Sequence, residues 1–173
     1  SLLRIKNASG FIFVPREVVG APPLNGHSPS YLVLDGQQRL TSLYQALYGA
    51  GNHRYFVNLQ WLLEGKDLDD CVFYLRKGHA KQRYGTIAKQ AADLVFPLEC
   101  VFGDSMSFEE WLDQVLDFRA EEGDAGKKLK QGLRDLRKAW IQNIEDYEFP
   151  VVTLAEETEA GAVCTIFETL NRT

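Results

Sequence analysis

YLVLDGQQRLTSLYQAL, residues 31–47, changes its hydrophobic period halfway along. Tyr31–Leu34 is apolar throughout, which predicts a strand that is central in its sheet. From Leu40 onward the apolar residues recur at helical spacing (Leu40, Leu43, Tyr44, Leu47 and Tyr48), and Gly49 and Gly51 stop the pattern. A strand therefore turns through Asp35-Gly36 directly into a helix.

A turn of this kind leaves the first N–H groups of the helix without intrahelical acceptors, at the positive end of the helix dipole. An anion, typically phosphate, fits such a place. Gly36 removes the Cβ that would hold a ligand away from the backbone. Arg39, one turn in, can add a forked, charge-assisted contact to phosphate oxygens. The plainer alternative is capping: Asp35 and Gln38 are spaced as an N-cap residue and its N3 partner, so they could close the helix with no ligand at all. The two are compatible, because a carboxylate at an N-cap can also hold water or a cation, which makes Asp35 the candidate Mg2+ ligand.

Outward from this stretch, Phe11–Val14 before Pro15 reads as a short strand and residues 20–30, with three prolines and two glycines, as a loop. Tyr55–Leu59 and Cys71–Leu75 read as strands joined by a Gly/Lys/Asp turn. Residues 76–106 read as a basic loop, a short helix near Ile87–Leu94 and an irregular apolar stretch. Ser107 and Glu110 make a capping box for a helix that turns Phe108, Trp111, Leu112, Val115 and Phe118 inward. After GDAG at 123–126, a second helix shows Leu129, Leu133, Leu136, Trp140 and Ile144 on one face, so the pair forms an antiparallel hairpin. Phe149–Leu154 reads as a strand, and Ala155–Leu170 as a last helix with Ala160, Val163, Phe167 and Leu170 inward. This order predicts a mixed α/β (α+β) domain over 1–173: a strand-rich part (1–75), a mostly helical insert (76–147) and a closing βα unit (148–173).

The composition bounds the function. With 173 residues, 45% of them apolar and 25% charged, the chain suits one globular domain with a real core. No run of about 18 apolar residues and no secretion signal occur, so no membrane partner is expected. Cys71, Cys100 and Cys164 lie far apart, and His27, His53 and His79 form no metal-nuclease motif; reduced thiols in the cytoplasm are the expectation. A net charge of −5 disfavours DNA binding by the surface as a whole. The charge is uneven, however. Residues 76–89 carry five bases (Arg76, Lys77, Lys81, Arg83, Lys89) and no acid, whereas 104–124 carry eight acids against Arg119 alone. Solvated faces account for such runs, and the alternative is an anion- or nucleic-acid-facing patch at Arg76–Lys89. A chain that starts at Ser1 and stops right after a helical pattern is expected to be a piece of a longer protein.

Asp35–Leu43, DGQQRLTSL, resembles the DGQQR signature of the ParB-like N-terminal domains of GmrSD-type, modification-dependent restriction endonucleases and related phage-defence proteins. Ile166–Thr173, IFETLNRT, resembles the IFExLNxxG element that closes this region in the family, and Phe149–Val152 sits where those proteins place the preceding strand. The resemblance covers about 31–59 and 149–173, and the helical insert only loosely. It implies a ParB/sulfiredoxin-like sheet with a strand–turn–helix phosphate site, a nucleoside triphosphate with Mg2+ as cofactors, and nucleotide binding with hydrolysis. Carried over, the nucleotide-binding residues are Asp35, Gly36, Gln37, Gln38, Arg39, Thr41 and Asn171. Among the catalytic residues, Arg39 would hold phosphate charge, Gln38 (or Gln37) would orient a water, and Asp35 would hold Mg2+ or that water. Asn171 also fits an ordinary helix end, and Glu168 a solvated helix position. The family's upstream IPxxQR element is absent, and Val14-Pro15-Arg16 does not supply it. Implied partners are a C-terminal nuclease domain of the same longer protein and modified or foreign DNA, with a homo-oligomer allowed. The reading is a nucleotide-binding regulatory domain of a restriction endonuclease. Its alternatives are a non-catalytic DNA-recognition module using Arg76–Lys89, and a structural domain in which DGQQR is a cap.

Overall fold

A computed structural model describes residues 2–6, 16–102, 106–120, 123–155 and 158–170. The expected strand at Phe11–Val14 and the candidate Asn171 lie outside these residues. The chain divides into two compact units, Ser1–Ser42 with Glu148–Thr173, and Leu43–Tyr147.

In the first unit, β1 (Leu2–Lys6) pairs antiparallel with β2 (Tyr31–Asp35) and parallel with β6 (Val151–Leu154), in the order β2-β1-β6. Tyr31–Asp35 is thus a strand as expected, but it stands at the edge of the described sheet and not at its centre. The central place belongs to Leu2–Lys6, whose Leu2, Leu3 and Ile5 are all buried. From β2 only Leu32 is buried, whereas Tyr31 and Val33 are 44% and 42% exposed. The Arg4 guanidinium lies 4.1 Å from the Tyr31 ring centroid, a cation–π contact that shields part of that apolar surface. Helix α9 (Ala160–Leu170) lays Val163 and Ile166 on the core formed by Leu3, Ile5, Leu32 and Leu154. Phe167, expected inward, is 39% exposed.

Helix α1 (Gln37–Leu47) has no fully buried residue. The second unit then begins a sheet of order β4-β3-β5, formed by β3 (His53–Asn58), β4 (Val72–Arg76) and β5 (Val95–Pro97) in antiparallel pairs. Between β3 and β4 the plain turn expected is replaced by α2 (Leu59–Leu63) and α3 (Leu68–Cys71). Asn58 caps α2, its Oδ1 accepting the Trp61 N–H at 3.0 Å. The expected basic loop is also a helix, α4 (Lys77–Tyr84), followed by α5 (Ile87–Asp93). Buried Ala80 and Tyr84, one turn apart, anchor α4. Two anchors are too few to show as a period in the sequence.

Helix α6 (Phe108–Arg119) opens on the predicted capping box: Ser107 Oγ accepts the Glu110 N–H at 3.2 Å, and Glu110 Oε2 accepts the Ser107 N–H at 2.7 Å. Phe108, Trp111, Leu112 and Val115 are buried as expected, while Phe118 is 61% exposed. Helix α7 (Gly123–Leu136) continues through a π-helical turn at Arg137–Ile141 into α8 (Gln142–Glu145). The wide turn shifts the inward register, so Ile141 is buried and Trp140, expected inward, is 41% exposed. At the centre of this core, Trp111 donates its indole N–H to Gln90 Oε1 at 2.8 Å, and Gln90 Nε2 donates to the Tyr84 carbonyl at 2.8 Å.

All three cysteines are free. Burial, helped by neighbouring Glu99, pushes the Cys100 thiol up to about 11, and burial likewise raises Cys71. Among the described residues no helix is long and apolar enough to cross a membrane.

Candidate functional site

Asp35 ends β2 and Gln37 begins α1, so Gly36 alone makes the turn. Its φ of +93° lies in the region that side chains rarely adopt. A Cβ there would also press on the Leu2 Cδ2 methyl, the movable end of its side chain, and would stand 3.4 Å from Arg39 Nη2. The Leu40 N–H donates to the Gly36 carbonyl at 2.8 Å, the first bond of the helix. The backbone N–H groups of Gln37, Gln38 and Arg39 therefore lie in the unsatisfied first turn, with no acceptor among the described residues.

Arg39 and Asp35 face each other across the turn, with Nη2 2.8 Å from Oδ2. The pair is open to solvent, the two side chains being 56% and 26% exposed. The helix starts one residue later than a D-x-x-Q cap supposes, and the Asp35 carboxylate accepts from Arg39. Gln37 and Gln38 are exposed, and Thr41 is half-buried.

Gln37 and Leu40 also line a cavity of about 610 Å³ within the first unit. Its apolar wall comes from Tyr31–Leu34 and from Val163 and Phe167 of α9; its polar groups include Arg16 and Glu168. Of the predicted site residues that are described, Gln37 alone belongs to this wall, while Asp35, Gly36, Gln38, Arg39 and Thr41 lie outside it. Arg16 was not singled out in the sequence, and Glu168 read as a solvated position. The available signal was spacing: Glu168 follows Cys164, another wall residue, by one helical turn.

The volume falls in the range of roughly 300–1,000 Å³ usual for small-molecule sites, and an apolar wall with a few polar groups is their usual composition. Backbone donors and a guanidinium beside it suit phosphate oxygens. Among the described residues no three His, Cys, Asp or Glu side chains gather as a metal site. Asp35 is the one carboxylate at the turn, so a magnesium ion brought by phosphate oxygens would have it as protein ligand.

Fold and turn together define a mixed α/β protein with a glycine-hinged strand–turn–helix at the edge of its first sheet. The chain matches the family described as GmrSD restriction endonuclease, N-terminal domain, over residues 9–173, and it belongs to that family. An uncharacterized protein of Methanocaldococcus jannaschii is 25% identical over 169 residues, a match that takes in 88% of this chain and 27% of that protein. The chain thus spans little more than a quarter of the length of the relative it matches. No solved structure matches it.

Proposed function

We propose that this chain is the nucleotide-binding, hydrolysing regulatory domain of a longer, modification-dependent restriction endonuclease. In this reading the phosphates of a nucleoside triphosphate sit at Asp35–Arg39, and their state gates a nuclease domain that cuts modified or foreign DNA. One observation carries the proposal: the Gly36 turn leaves three backbone N–H groups without a partner among the described residues, beside an exposed guanidinium.

The chain's own groups divide the work. The N–H groups of Gln37–Arg39 bind phosphate oxygens, and Gly36 lets those oxygens reach the backbone. Arg39 exchanges one carboxylate for the denser negative charge of the phosphates, which frees the Asp35 carboxylate. Bound magnesium would neutralise phosphate charge, with Asp35 as its protein ligand. Gln38 or Gln37 orients the attacking water, while Thr41 and Asn171 complete the pocket. The cavity lined by Gln37 offers an apolar wall to the rest of the nucleotide.

Magnesium-dependent phosphate release by the full-length protein tests the reading. Arg39→Ala should abolish it while the circular dichroism spectrum is kept. Unchanged turnover in a well-folded Arg39→Ala protein sinks it.

A further inference from the structure

A second cavity, of about 650 Å³, lies wholly within Leu43–Tyr147, and none of Asp35–Arg39 contributes to its wall. Asn58, Trp61, Phe73, Arg83 and Arg119 line it. Asn58 is only 8% exposed, yet its amide is half used. Oδ1 accepts the Trp61 N–H, whereas Nδ2 has no acceptor among the described residues. Nδ2 is not sealed from solvent, so it is open to a ligand carbonyl or ring nitrogen in the cavity.

The rest of the wall adds flat faces and positive charge. Trp61 is 38% exposed, with the Lys66 ammonium 4.2 Å from its ring centroid, and Phe73 is half-buried. Arg83 rests over the Tyr84 ring at 5.3 Å and makes no salt bridge among the described residues. Arg119 donates to the Ala91 carbonyl at 3.0 Å, which fixes its guanidinium at the rim. The one carboxylate in the wall, Asp93, already accepts the Tyr84 hydroxyl at 3.2 Å. Aromatic faces, an amide donor and cations are the chemistry that takes a nucleobase carrying a phosphate.

The charge does not stop at the cavity. Arg83 belongs to α4; Lys77 and Lys81 of that helix and Arg76, the last residue of β4 just before it, are exposed and, among the described residues, without a salt bridge. Such a run is longer than one phosphate can use, which favours a strand over a free nucleotide. We propose that this cavity takes one unpaired base of a single-stranded stretch of DNA, while α4 follows the neighbouring phosphates. The site shares no residue with the triphosphate site and does not rest on that reading.

The test is fluorescence anisotropy of a short labelled single-stranded DNA with the chain at low ionic strength. Asn58→Asp keeps the acceptor that caps α2 but exchanges the free donor for negative charge. Arg83→Gln alters an exposed side chain that holds no ion pair, so it reports even where Asn58→Asp disturbs the fold. Each should weaken binding about tenfold or more, and Arg39→Ala should leave it unchanged. Affinity should fall steeply with added salt. The proposal is overturned by absence of binding, or by wild-type affinity in Arg83→Gln. It is also overturned where a mononucleotide displaces the labelled strand as well as the unlabelled strand does, since the cavity would then be a free-nucleotide site.

Discussion

Gly36 and Arg39 make opposite demands on the protein, which allows their roles to be separated. Gly36 is structural: its φ of +93° strains any residue with a Cβ, which would also have to push the Leu2 side chain aside. Gly36→Ala should lower stability by roughly 2 kcal/mol or more, read as a shifted urea midpoint. Arg39 is exposed, and its bond to Asp35 is an i,i+4 surface pair. Arg39→Ala should therefore cost no more than ~1 kcal/mol in the same titration, far less than its expected effect on nucleotide turnover. The glycine's place was legible in the sequence because a strand ran straight into a helix. The Arg39–Asp35 pairing was not, since D-x-x-Q and D-x-x-x-R spacings overlap here and only the true start of the helix chooses between them.

Helix α6 is the element on which the second unit's core is built. Trp111 fills that core and satisfies Gln90 through its indole N–H. Trp111→Phe leaves Gln90 Oε1 unmet and opens a void, so a loss of roughly 2–4 kcal/mol is expected from thermal unfolding. The capping box at the start of α6 adds a pH dependence. Hydrogen bonds from the Ser107 backbone and hydroxyl hold the Glu110 carboxyl below its ordinary 4.5. A depressed folded-state value means the stabilisation is full above the unfolded value and is lost as pH falls through the folded one. The melting-temperature gap between the wild type and Glu110→Gln should therefore be present at neutral pH and close in acid. Equal gaps at both would contradict this.

These helices were read correctly where a cap or a dense apolar period marked them. The π-helical turn at Arg137–Ile141 moved the inward position from Trp140 to Ile141, which no fixed 3.6-residue period anticipates. The central strand Leu2–Lys6 escaped notice because LLRIK is short, and Arg4 interrupts its apolar pattern. Once β1 takes the centre, β2 falls to the edge, although its own sequence is apolar enough for the middle.

At the scale of the whole molecule, the division into two units follows from separate hydrophobic clusters, one around Leu3, Ile5 and Leu154, another around Trp111, Phe96 and Leu133. Length and composition carry no trace of that division, because both clusters draw on the same apolar residue types. Each unit holds a cavity of nucleotide size, and the cysteines report on them unequally. Cys164 is exposed in the wall of the first cavity, whereas Cys71 is buried and Cys100 is held as a thiol by burial. Iodoacetamide at mildly alkaline pH should modify Cys164 first, and a bound nucleotide should slow that reaction. Mass spectrometry of time points gives the order directly.

The central claim concerns backbone N–H groups, and amide-resolved NMR observes them one by one. Titrating the isotope-labelled chain with magnesium and each nucleoside triphosphate should shift the amide signals of Gly36–Leu40 most, saturably, and should leave them still in Arg39→Ala. Saturating nucleotide that leaves Gln37, Gln38 and Arg39 unmoved, or moves only signals of Leu43–Tyr147, contradicts the account.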